Sequence, residues 1–241
     1  ITNLIFLITI LILTTAEPIM GNAGIYVFSY LFISQTPVSG HLLTLRIISL
    51  FVVFILCGTV FYAKHRHKFE DVHIAVVFRE FKLITERTQW QIRLAVGVSI
   101  ALFIGQLLNV PRAVWIGYAC MSVLLPYHND LQHRALARIS GVVIGSILFA
   151  IISGIISSNY YFLFGPIAGL CIGFSATYFW NNILNCFGAL LLASDLYGIH
   201  PSVLFRIENN IAGAVFALLF LFCFERLIKR YKRQNHSNIL D

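Results

Sequence analysis

The chain has 241 residues, 59% of them hydrophobic and 11% charged, with a formal net charge of +7. Soluble domains average about 25% charged residues, so this chain has too few to sheathe a soluble core and too much apolar surface to remain disordered. What is left is a polytopic membrane protein of the all-α class. The chain opens on Ile1, with Met20 as its first methionine, and reads as a fragment lacking part of the natural N-terminus. A spanning helix needs about 20 mostly apolar residues. Nine segments approach this, at 1–15, 18–33, 42–62, 92–110, 113–125, 139–156, 161–179, 183–194 and 203–227. Pro18, Pro37, Pro111, Pro126 and Pro201 fall at the breaks, where a helix starts or stops at least cost.

The basic residues set an orientation. Seven lie between Lys64 and Arg93, five between Arg226 and Arg233, and Arg134 and Arg138 lie in the loop 126–138. Threading nine helices brings these 14 of the 17 Lys and Arg residues to one side, which the positive-inside rule makes cytoplasmic, with the C-terminus. The net charge is therefore a topology signal and does not suggest a nucleic-acid partner. The organisation expected is three helices in residues 1–63, a cytoplasmic connector at 64–91, a six-helix bundle at 92–228 and a basic tail at 229–241. In the connector Val72, Ala75, Val76 and Phe78 alternate with charges, which suits either an interfacial helix or a solvated link. The run Lys64-His65-Arg66-His67-Lys68 reads as a membrane anchor rather than a metal site.

Two internal repeats emerge. A shift of 160 aligns Arg46 with Arg206 and Asn22 with Asn182, so the chain resembles the second half of one six-helix module followed by a complete one. A shift of 68 aligns Arg138-Ile139 and Gly145 with Arg206-Ile207 and Gly213, both reading R-I-x5-G. Three helices separate these copies, so the second repeat is inverted, a common device of transporters.

Soluble-enzyme signatures are missing: there is no Walker motif, G-x-S-x-G or H-E-x-x-H. The expectation is a non-enzyme without metal or cofactor. Cys57, Cys120, Cys171, Cys186 and Cys223 stand singly and read as apolar fillers. Charge at membrane depth costs roughly 2.5–3.5 kcal/mol per residue, so the few intramembrane polar residues are the candidates. Arg206, Asn210 and Gly213 share one helix face. Guanidinium offers a forked match to carboxylate, so Arg46, Arg138, Arg206 and Asn210 are candidate anion-binding residues, and Asp195 and Glu208 candidate proton-coupling groups. The competing reading of each arginine is an anchor that snorkels to the headgroups. Gly141-x3-Gly145, Gly169-x3-Gly173 and Gly213 suit close helix packing. Trp90, Trp115 and Trp180 suit an interfacial aromatic belt.

One stretch goes further. Arg93 stands at one helix start, Trp115 opens the next helix and Pro126 ends it. Then Arg134-Ala135-x-x-Arg138-Ile139-x-Gly141 leads into a third, and Arg206 with Gly213 opens the last. This pattern resembles the fusaric-acid-resistance-like, or aromatic acid exporter, family of integral membrane proteins. The resemblance implies a six-helix module, often doubled, that exports aromatic carboxylic acids or similar weak acids through the plasma membrane. Related plant malate channels make a passive anion channel the nearest alternative, and an accessory membrane subunit without its own substrate is a further one. The implied partners are the bilayer, a small organic anion and a second copy or accessory subunit. The chain departs from the family pattern at Gly141-Val142, where the family has Gly-Thr, and in its short connector.

Overall fold

A computed structural model describes the chain apart from residues 16–17, 19–21, 67–73, 80, 83–84, 126–130, 176 and 238–241, and apart from the side chains of 74–76 and 232–237. Its regular elements, among the described residues, are ten α-helices and one 3-10 turn. They are α1 Thr2–Thr14, α2 Asn22–Ser34, α3 His41–His65, α4 Ile74–Arg79, α5 Glu86–Leu107, α6 Val114–Leu124, α7 Leu131–Ile155, the 3-10 turn Ser158–Leu163, α8 Phe164–Phe174, α9 Tyr178–Tyr197 and α10 Ile199–Ser237. Nine of the helices coincide with the nine apolar segments, and the short α4 lies in the connector. The chain is an all-α, multi-pass membrane bundle. Among the described residues, four helices (α3, α5, α7 and α10) are long and apolar enough to cross a bilayer.

Several boundaries move from their expected places, for local reasons. Thr85 caps α5, its hydroxyl accepting from Thr88 N at 3.3 Å, so the helix starts well before residue 92. Thr177 caps α9 through Trp180 N at 3.4 Å, which gives residues 178 and 179 to α9 rather than to the preceding helix. The segment expected at 161–179 is instead a 3-10 turn followed by an eleven-residue helix. Helix α7 begins at Leu131, so Arg134 and Arg138 are helical and not in a loop. Gly198, at φ +79°, makes the reversal between α9 and α10. The basic tail is a continuation of α10 to Ser237, not a separate segment. In the connector, Val72, His67 and Lys68 and the side chains of Ala75 and Val76 lie outside the described residues.

Helix α6 is the hub. Every residue from Trp115 to Leu124 is buried, because α10, α5, α7 and α2 all pack around it. An all-round apolar helix is what such a position requires. Helix α3 is the opposite case: none of its residues is buried, as suits a helix facing lipid. Lipid tails are as apolar as leucine, so close packing and small residues rather than apolar burial hold membrane helices together.

The glycines show where that packing is tightest. A Cβ at Gly145 would stand 2.6 Å from Ile183 O in α9, and one at Gly213 would stand 2.7 Å from Ala119 Cβ and against the Ile116 carbonyl in α6. At Gly141 it would meet Phe179 O and Asn182 Cβ, both at 2.9 Å. Gly169 and Gly173 have nothing within 4 Å, so the packing role expected of them is corrected: α8 turns that face away from its neighbours.

The crossings have a common plan. Under the 68-residue shift α6 falls on α9 and α7 on α10. Helix α7 crosses α9 at Gly145, and its counterpart α10 crosses α6 at Gly213. The third helix of each half thus packs on the second helix of the other half, as an inverted pair would. Under the 160-residue shift α1, α2 and α3 fall on α8, α9 and α10.

Candidate functional site

The exchange of helices between halves brings one arginine from each half into the same interior. Arg138, on α7, is 9% exposed. Its Nε donates to Asn210 Oδ1 at 3.1 Å and its Nη1 to Asn182 Oδ1 at 3.2 Å. Both amides are held from behind. Asn182 Nδ2 donates to Tyr178 O at 2.7 Å, and Asn210 Nδ2 to Arg206 O at 2.8 Å, each one turn back on its own helix. With their nitrogens so engaged, the amides present only oxygen to the cation. Three helices, α7, α9 and α10, therefore fix this guanidinium without using a carboxylate.

Arg206, on α10, is buried at 4% exposure. The guanidinium lies over the Trp115 ring, 4.9 Å from its centroid. The ionisable groups facing it are Cys186, Arg138 and Tyr118. Under the inverted repeat, the positions matching Asn182 and Asn210 are Val114 and Val142, so this half lacks the two amides that hold Arg138. Accordingly Arg206 Nε is buried without a hydrogen-bond partner among the described residues, and so are the Tyr118 hydroxyl and Ser202 Oγ, one turn before Arg206. Buried polar groups are nearly always paired, and each exception asks for an explanation. Two guanidiniums share this interior with unsatisfied donors, an arrangement that attracts an acceptor of negative charge.

Guanidinium–aromatic pairs flank the interior at both ends. On one side Arg134 lies 4.2 Å from the Tyr178 ring centroid, and the Tyr178 hydroxyl is bonded to Ser122. On the other, Arg112 lies 5.9 Å from Trp115 and 5.7 Å from Tyr197. Arg112 has φ +55°, a left-handed conformation that costs an ordinary L-residue about 1–2 kcal/mol. The turn is held to α10 by Asn209 Nδ2, which donates to Pro111 O at 2.7 Å and Arg112 O at 3.3 Å.

Of the residues expected to bind an anion, Arg138, Arg206 and Asn210 meet. Arg46 does not join them: it sits on α3, and its Nη1 donates to Thr36 O at 2.5 Å and Ile33 O at 3.4 Å, closing the α2–α3 turn. The repeat preserves its place in the helix and not its surroundings. Asp195 and Glu208 are both exposed, on the outer faces of α9 and α10. Trp115 is not a belt residue but a buried platform; Trp90 is likewise buried, donating Nε1 to Leu125 O at 3.1 Å, while Trp180 is exposed. In the sequence Asn182 stands out only as the match of Asn22 under the 160-residue shift, with no binding role attached.

A family model described as fusaric acid resistance protein-like matches residues 100–220, just over half of the chain. No curated protein and no solved structure matches the chain. The matched region runs from α5 to α10 and includes Arg112, Trp115, Arg138, Asn182, Arg206 and Asn210.

Proposed function

The chain belongs to the fusaric acid resistance protein-like family, and from that membership we propose that it is a secondary transporter exporting small organic anions, such as aromatic carboxylates, across the plasma membrane. The observation that carries this reading is the buried Arg138–Arg206 pair, one cation held by amides and the other left with an unpartnered Nε. A carboxylate bridging the two would satisfy Arg206, and a forked guanidinium gives it a fixed orientation. Arg138, preset by Asn182 and Asn210, loses little freedom when the anion arrives. The inverted halves, crossing at Gly145 and Gly213, provide two matching bodies that can rock about the site, the usual route to alternating access.

The test is flux in proteoliposomes. Protein reconstituted alone is expected to release preloaded benzoate faster than empty vesicles; equal rates would leave only the accessory-subunit reading. A second reading, a passive anion channel, is favoured by one observation: Asp195 and Glu208 are exposed, away from the arginines. The coupled reading expects Asp195→Asn with Glu208→Gln to abolish accumulation driven by a pH gradient while leaving flux down a benzoate gradient. Unchanged pH dependence in the double variant removes these groups from the mechanism and supports the channel.

The proposed orientation has Lys64 and Lys229 on the cytoplasmic side and Tyr160 on the opposite side. In a background without the five native cysteines, single cysteines at 64 and 229 are expected to react with an impermeant maleimide only after the cells are opened. A cysteine at 160 should react on intact cells. The reverse pattern would invert the protein in the membrane.

A further inference from the structure

We infer that Arg112, Trp115 and Tyr197 form a second anion-binding station, at the α9–α10 turn end of the bundle, through which the small organic anion passes to or from the central arginine pair. The inference rests on the proposed transport function and adds a site to it.

Arg112 does not behave as an anchor. A snorkelling arginine extends its head to water and headgroups. Here the guanidinium turns across two aromatic rings, Trp115 and Tyr197, and donates Nη2 to Leu192 O at 3.1 Å. Its Nε is buried and without a partner among the described residues. The left-handed backbone at φ +55° is strain that the surroundings must hold in place, and Asn209 holds it with two bonds to the turn. Asn209 adjoins Asn210, which binds Arg138, so one pair of asparagines on α10 ties the outer turn and the central site to the same helix.

Trp115 joins the two stations. Its ring carries Arg206 at 4.9 Å and Arg112 at 5.9 Å, so an anion leaving one guanidinium has the other beside the same indole. Along α9, Asn182 partners Arg138 and Leu192 partners Arg112, so the far arginine of the central pair lies roughly 15 Å along the helix from Arg112 at 1.5 Å per residue, with Arg206 between them over the shared indole. An anion would move between them in short steps rather than cross a bare apolar interior.

The experiment is equilibrium titration of the full chain in lipid nanodiscs with benzoate at pH 7. The expected result is two bound benzoates in the wild type, one in Arg112→Gln and one in Arg206→Gln, with benzoate flux down about tenfold in Arg112→Gln. Arg112→Lys guards against a folding artefact: it keeps the charge without the fork and is expected to retain the second site with about tenfold weaker affinity. Two sites persisting in Arg112→Gln would overturn the inference. So would a single wild-type site abolished by Arg206→Gln, which would leave the central reading standing. A single wild-type site abolished by Arg112→Gln alone would instead overturn the central reading and keep the outer station. Absence of binding in the wild type would overturn both.

Discussion

Gly213→Leu is expected to prevent stable assembly of the bundle, and Gly145→Leu to do the same. A Cβ at 213 would already stand 2.7 Å from Ala119 Cβ and 3.1 Å from the Ile116 carbonyl carbon, and the obstruction is backbone of α6, which cannot rotate aside. Because α6 is buried from Trp115 to Leu124, moving it away from α10 disturbs its contacts with α5, α7 and α2 as well. Overfilling a packed interior typically costs 1–3 kcal/mol; with two helix backbones opposed, about 3 kcal/mol or more is expected here, a fall of roughly 10 °C in the thermal midpoint. Yield of monodisperse protein and the midpoint in detergent are the measurements. Gly169→Ala and Gly173→Ala serve as controls, since nothing lies within 4 Å of either position, and should leave the midpoint unchanged. A wild-type midpoint in Gly213→Leu would mean that α10 does not press on α6 as described. Equal damage from Gly145→Leu and Gly213→Leu is the further expectation of the inverted repeat, since each glycine sits at the corresponding crossing.

The helices were legible because membrane spans announce themselves by long apolar runs, and the breaks by proline and charge. Their ends were less so. Thr85 and Thr177 cap α5 and α9 through single side-chain bonds, and a threonine in an apolar chain looks the same whether or not it caps. The site was half legible. Arg138, Arg206 and Asn210 stood out as costly polar residues with a glycine one face-turn along, a pattern local to each helix. Asn182, Trp115 and Tyr118 acquire their roles only when α6, α9 and α10 meet, and no spacing within one helix encodes that meeting. Trp115 illustrates the difficulty: at a helix start, the belt explanation suffices until the arginine above it is seen. Arg46 shows the converse. It aligns with Arg206 under the 160-residue shift, but the side chain closes a turn with Thr36, because a sequence match carries the place in a helix and not the neighbours brought by other helices.

Arg206→Gln is expected to reduce benzoate flux by roughly 10- to 100-fold, with little loss of folded protein. The magnitude follows from the bond removed: a hydrogen bond to a charged group contributes about 1.5–3 kcal/mol, and about 1.4 kcal/mol is a factor of ten. Folding is spared because Arg206 is the less engaged of the pair, its Nε being unpartnered, so glutamine removes no hydrogen bond from that nitrogen. Arg138→Gln is a different experiment: it breaks the bonds to Asn182 and Asn210 and leaves two oriented amide oxygens facing one another, so flux and stability are expected to fall together. Arg206→Lys separates charge from geometry. It retains the cation but loses the planar fork and the stacking on Trp115, and should give flux between wild type and Arg206→Gln. If both arginines grip one anion, the double variant Arg138→Gln with Arg206→Gln will lose less than the product of the single losses, because the second substitution removes a grip already broken. Full multiplicativity would assign the arginines to independent steps, and undiminished flux in Arg206→Gln would return Arg206 to a packing role on Trp115.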